Sequence, residues 1–228
     1  MTSEERREIR YQRRKAKRDE ARLKRSMACG DFDEVFSFRH LYLSAKKCCK
    51  GVYWKSSTQR YISNLIPNIS ETLLSLRNGT FIHRGFHEFY IMERGKKRHI
   101  RSVHISERTV QKCLCDYCIV PIYSASFIYD NSASLKHRGM DFALRRMVYH
   151  LERHFRKHGL AGGILIYDFK SFFDDAPHEP LLAEAERRLH DDRIRALHNS
   201  FIADFWPGRA WFRQSNQSDK CSVAAESA

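Results

Sequence analysis

Apolar residues at Val110, Cys113, Leu114, Tyr117 and Cys118 recur at i, i+3, i+4, i+7 and i+8, which predicts a helix capped by Ser106 and ended at Pro121. The same period returns from about Met140 to Lys157. There Leu144, Met147, Val148, Leu151 and Phe155 share one face, Arg145, Arg146, Arg153 and Arg156 the other, and Gly159 is the natural stop. The apolar face of this second helix is expected to be buried. Between the two helices and the N-terminal third, FIHRGFHEFYIMERGKKRHIRSVHI sets two runs rich in Phe, Tyr, Ile and Val on either side of GKKR, the pattern of a β-hairpin with a cationic tip. After the Ala161-Gly162-Gly163 break, ILIYDF is short, apolar and rich in β formers, so it reads as a buried strand. Two helical stretches follow, EPLLAEAERRLHDD and RIRALHNSFIADF.

Residues 3 to 27 show the opposite pattern, with almost no apolar positions. A Ser cap and two acids open a long run of basic residues, which predicts one exposed helix. From Phe32 to about Leu76, aromatic and basic residues interleave in short helical patterns broken by Ser, Thr and Asn, as in a small mixed subdomain. The stretch from Trp206 onward has no period at all. The fold class these elements predict is α/β (α+β).

Charge adds a partner to this outline. Lys and Arg total 41 against 27 Asp and Glu, a net charge of +14, and the first helix holds eleven cations against five acids. Such a balance points to a polyanion such as nucleic acid, against the plainer reading of a solvated charged helix. No window approaches the length of apolar chain that spans a membrane, and the N-terminus lacks the apolar centre of a signal peptide, so a cytoplasmic protein without a membrane partner is expected. Seven cysteines without framework spacing suit reduced thiols. Within CLCDYC, Cys113 and Cys118 share the apolar helix face while Cys115 points away, which favours core cysteines over a metal site. His150, His154 and His158 line one side of a helix with no carboxylate or cysteine placed to complete a metal shell; they read as a solvated or phosphate-facing stripe.

The segment YDFKSFFDD differs in kind. An aspartate, Asp168, at the carboxyl end of a buried strand would hold a hard oxygen ligand at a sheet edge, where Mg2+ and phosphates gather. Helix capping accounts for Asp174 or Asp175 but explains Asp168 poorly. Read with its continuation, YDFKSFFDDAPH resembles motif A of bacterial reverse transcriptases of the group II intron, retron and prophage kind. KRHIRSVHISERTVQKCL resembles the fingers motif of the same enzymes, and FIYDNSASLKHRGMDFALRRM their template-contact segment, from which Asp130 to Ser134 depart. The resemblance spans about residues 80 to 205.

The resemblance implies a right-hand polymerase fold: a basic N-terminal helix over 1–28, a fingers subdomain binding nucleic acid and nucleotide over 29–160, and the start of a palm over 161–205. It implies Asp168 as the catalytic ligand of two Mg2+ ions, the Phe169 carbonyl as a further metal ligand beside the nucleotide, and Phe173 as the aromatic that excludes a ribose 2′-hydroxyl. Arg98 and Arg108 would clamp the triphosphate of a dNTP, and Lys136, Arg138, Arg145 and Arg146 would meet the phosphates of an RNA template paired with a DNA primer. The family's motif B and its Tyr/Phe-x-Asp-Asp tip do not follow motif A, and the acid pair Asp191-Asp192 lies in a helical pattern. Back-translating Arg209 to Ser222 and reading from each second base permits GLGLGSQISQISA, a version of motif B, so residues 206–228 are expected to be out-of-frame. The implied function is that of a reverse transcriptase fragment, two-metal nucleotidyl transfer in the full family and inactive in this chain alone. The alternative is a non-catalytic basic RNA- or DNA-binding remnant of a mobile element.

Overall fold

The computed structural model of the protein describes residues 1–169 and 176–204. Their architecture is mixed α/β and mostly helical, with one two-stranded antiparallel sheet among the described residues. In chain order the helices are α1 (Ser3–Ala28), α2 (Phe32–Val35), α3 (Phe38–Cys49), α4 (Ser56–Ser63) and α5 (Leu65–Arg77). The hairpin β1 (Phe86–Glu93) and β2 (Lys96–Val103) precedes α6 (Ile105–Leu114), a π-helical turn (Cys115–Ile119) and α7 (Val120–Tyr123). Then come α8 (Met140–His158), α9 (His178–Arg188) and α10 (Asp192–Asp204).

The core is built where α3 crosses α6. Small side chains at the crossing, Ala45 and Cys49 on α3 and Val110 and Cys113 on α6, are each at most 1% exposed, so the two backbones approach closely. Leu41, Ile69, Leu76 and Leu114 fill the space around them. Both core cysteines behave as small apolar groups: burial pushes the Cys113 and Cys118 thiols up to about 12, and Cys113 Sγ donates to the Val35 carbonyl at 3.3 Å. Two lysines, Lys47 of α3 and Lys112 of α6, converge on Asp116 at 2.7 and 2.6 Å. Burial alone would raise the Asp116 pKa; the hydrogen bonds from the two ammonium groups outweigh it and hold the carboxyl below its usual range.

The late helices close the same core. Ala185, Leu189 and Ile194 are buried in it, and the corner between α9 and α10 is tied to the early chain by polar bonds. Ser26 Oγ lies 2.9 Å from His190 Nδ1, while the Asp191 carboxylate accepts from the Phe32 N–H at 3.0 Å and from the Ile194 N–H at 2.9 Å.

The hairpin forms as its pattern predicts, paired from Phe86↔Val103 to Glu93↔Lys96. Its two-residue turn puts Arg94 at φ 49° and Gly95 at φ 77°, as the primed turns that match strand twist require, and Lys96 and Lys97 leave the tip cationic. The exposed α1 also forms, capped by Thr2 rather than Ser3: Thr2 Oγ1 accepts from the Glu5 N–H while Glu5 returns the bond to the Thr2 N–H. The cap of α6 is likewise displaced, to His104, whose Nδ1 accepts from the Ser106 N–H at 3.3 Å. Pro121 does not end the helical run. The π-turn sends the Val120 N–H to the Cys115 carbonyl, and Pro121 falls in the first turn of α7, where no N–H is needed. Residues 32–77 carry helices only and no mixed subdomain.

Two sequence expectations fail on burial. Helix α8 forms with the expected ends, Gly159 stopping it at φ 62°, yet Leu144, Met147, Val148, Leu151 and Phe155 are all between 42% and 58% exposed. Periodicity fixes which face of a helix is apolar but supplies nothing to cover it. ILIYDF forms no strand: residues 161–169 carry no regular structure, and Ile166 is 84% exposed. No neighbouring strand pairs with it among the described residues, and a lone strand has no ladder bonds to offset its ordering. Residues 170–175, with Phe173, Asp174 and Asp175, and the expected out-of-frame stretch 206–228 lie outside the described residues.

The contrast between α3 and α8 is measurable by chemical denaturation. Leu41→Ala should cost about 2–5 kcal/mol, whereas Leu151→Ala should cost under about 1 kcal/mol. Equal losses would place α8 in the core.

Candidate nucleic-acid interface

A buried carboxylate sets the geometry beside a basic cleft at the hairpin root. Glu107, in the first turn of α6, is 4% exposed. Its Oε1 lies 3.2 Å from His83 Nδ1 and 3.4 Å from Gln111 Nε2, and its Oε2 accepts the Arg84 N–H at 3.2 Å. His83 Nε2 in turn lies 3.0 Å from Ser200 Oγ on α10. This Ser-His-Glu line is a clamp: Ser200 donates to the Leu197 carbonyl within its helix, and the imidazole is wedged edge-on against Phe81 and Phe201. It fixes the root of the hairpin to both α6 and α10.

Beside the clamp, an open cleft of ≈ 710 Å³ lies between the hairpin root and the starts of α4 and α6. The hairpin wall carries Phe86, His87, Phe89 and Ser102; the opposite wall carries Lys55, Thr58, Arg84, His104 and Arg108. Lys55, Arg84 and Arg108 are exposed and have no carboxylate partner among the described residues. His104 stands in the same cleft, and its pKa is lowered by burial and then by the Arg84 guanidinium. A groove with three available cations and exposed rings can take phosphate oxygens and stack bases. A second basic surface runs along α1, where Arg7, Arg10, Arg14 and Arg18 surround Tyr11 on one exposed face.

Among the residues singled out from sequence, Arg108 lines this cleft, but Arg98 does not join it. Arg98 stands opposite Ile91, toward the hairpin tip, paired with Glu93 at 2.9 Å. Lys136 and Arg145 are exposed. Arg138 and Arg146 are engaged internally: Arg138 donates to the Asn131 carbonyl at 3.0 Å and covers the Tyr129 and Phe142 rings, and Arg146 pairs with Asp130. Asp168 and Phe169 are exposed on the irregular segment, and Phe173 lies outside the described residues. Among the described residues no three His, Cys, Asp or Glu side chains converge to hold a cation, so those residues alone do not make a two-ion site. Of the His150, His154 and His158 stripe, His150 sits on Asp130 and His154 on the Ala161 carbonyl, while the His154 and His158 rings lie 5.0 Å apart.

Lys55, Arg84 and the Glu107 clamp were not singled out from sequence. Only the Glu-Arg pair at the start of α6 hinted at them, and their meeting spans more than fifty residues of chain. No family model matches the chain, and no curated protein matches it.

The clamp predicts a stability hierarchy. Glu107→Leu removes the acceptor of the Arg84 N–H and the carboxylate facing His83 Nδ1, and should cost on the order of 2 kcal/mol in urea melts. Ser200→Ala should cost about half as much. A neutral Glu107→Leu would show that the carboxylate holds nothing.

Proposed function

We propose that this chain binds nucleic acid, and that it does so as a member of the reverse-transcriptase lineage. The observation that carries the reading is the cleft at the hairpin root, where Lys55, Arg84 and Arg108 face His87 and Phe89 with no carboxylate partner among the described residues. Phosphodiesters of a template strand neutralise those cations while bases rest on the exposed rings, the combination that suits single strands. A membrane surface suits the protein less well, because α1 carries eleven cations and five acids over residues 3–27 and only a few scattered apolar side chains to insert. The lineage rests on YDFKSFFDDAPH and the fingers-like segment before it.

In this reading Mg2+ enters only through the role implied for Asp168 and the Phe169 carbonyl, and dNTP only through the role implied for Arg98 and Arg108. No second acid motif follows motif A in this sequence. Binding, without nucleotide transfer, is therefore the activity assigned to the chain itself.

Fluorescence anisotropy with a labelled single-stranded RNA across a KCl series tests the reading. Three cleft cations on a single strand predict a log–log salt slope of at least about −2. Arg84→Gln with Arg108→Gln should flatten it by about 1.4, and Asp168→Ala should leave affinity unchanged. An unflattened slope would contradict the cleft assignment. Primer-templated incorporation with dNTPs and Mg2+, abolished by Asp168→Ala, would contradict the claim that the chain alone does no polymerisation.

A further inference from the structure

A second charged site lies away from the cleft, where the segment before α8 folds back on the helix. Asp130 there meets two donors one helical turn apart: Arg146 Nε donates to Oδ1, and His150 Nε2 lies 2.7 Å from Oδ2. Arg146 Nη2 is itself 3.4 Å from His150 Nε2, so the two side chains form one fork. Rings flank it. The Arg146 guanidinium lies 4.9 Å from the Tyr129 ring and 4.5 Å from the Tyr149 ring, and Arg138 covers Tyr129 as well, at 5.0 Å. Tyr129 is nevertheless 66% exposed and Tyr149 45%.

This fork is satisfied by a carboxylate, but its chemistry is not specific to one. The two oxygens of Asp130 present the same pair of acceptors as the two non-bridging oxygens of a phosphodiester, and a guanidinium beside an imidazole receives either. The contact is partly open to water, and an ion pair of that kind contributes little net stability, so exchanging one anion for another costs little. Two partly exposed tyrosine rings beside the fork, already stacked by guanidinium groups, offer the kind of platform that a single strand needs next to its phosphate. The hydrogen bonds from Arg146 and His150 hold the Asp130 carboxyl below its usual range, so it stays ionised through neutral pH and remains a competitor for the fork.

We propose that Arg146 and His150, flanked by Tyr129 and Tyr149, form a phosphate seat for single-stranded nucleic acid, and that Asp130 occupies it as an internal stand-in until a phosphate displaces it. This rests on the nucleic-acid reading above and adds a second contact region with its own gate. Because Arg146 is already neutralised in the free protein, binding releases one counterion fewer there than it would at a bare guanidinium. Removing the carboxylate should therefore raise both affinity and salt dependence.

The experiment compares the full chain with Asp130→Asn by anisotropy on labelled single-stranded RNA, and in parallel titrates inorganic pyrophosphate while following the His150 ring signals by NMR. Asp130→Asn should bind RNA about 3- to 10-fold more tightly at low salt, with a log–log slope steeper by about 0.7. Asp141→Asn, the same charge change on the first turn of α8, should give no such gain, and Arg146→Gln combined with Asp130→Asn should abolish it. Pyrophosphate should shift His150 at lower concentration in Asp130→Asn than in the parent. RNA bound equally by parent and Asp130→Asn, or a gain that survives Arg146→Gln, would overturn the seat while leaving the nucleic-acid reading intact. Absence of RNA binding with a pyrophosphate shift that Asp130→Asn enhances would show an anion seat gated by Asp130 but overturn both its assignment to single strands and the nucleic-acid reading. Absence of both would overturn both.

Discussion

The buried Glu107 carboxylate is the interaction on which the working surface depends. A charge removed from water is tolerable only when its oxygens are bonded, and here the imidazole of His83, the main-chain N–H of Arg84 and the amide of Gln111 meet that need. Each partner belongs to a different structural task. Gln111 is one turn along α6, His83 leads through Ser200 to α10, and Arg84 stands two residues before the hairpin. Satisfying one carboxylate therefore joins the hairpin to the core and sets Arg84 and Arg108 on the same side of a cleft.

The core behind that clamp is small and helical, and much of the chain projects from it. Residues 3–20 of α1, the outer hairpin and α8 stand outside, and these are the elements richest in Arg and Lys. A polyanion-binding protein gains from such a layout, because cations on projecting elements escape both the desolvation of a core and the repulsion of close packing. Ion pairs on these elements, among them Arg98 with Glu93 and Arg101 with Glu88 on the hairpin and Arg146 with Asp130 on α8, are local and partly exposed, so each can open without disturbing the core.

Local order was legible in the sequence because local physics decides it. The hairpin follows from two apolar runs around a Gly turn, α1 and α8 from helix-forming composition and stops, and the core role of Cys113 and Cys118 from their place on one helix face. Long-range partners were not legible. The apolar stripe of α8 and the run ILIYDF announce surfaces that could be buried, but burial depends on a partner, and the described residues provide none. The same limit hid the cleft: Lys55, Arg84 and Arg108 come from three separate stretches, and only the Glu107 clamp brings two of them together. Arg138 and Arg146 show the converse case, since basic residues that read as free for phosphate are engaged by Tyr129, Asp130 and Asn131.

The central claim is a helical core that carries basic, outward-standing elements for nucleic acid, and hydrogen–deuterium exchange with and without single-stranded RNA measures it directly. In the free protein the slowest amides should lie in α3 and α6, with the first twenty residues, α8 and residues 161–169 exchanging far faster. Added RNA should protect the hairpin root and the region around Tyr129 to His150 and leave 161–169 unchanged. Exchange in α8 as slow as in α6 before RNA is added, or protection confined to 161–169, would contradict the account.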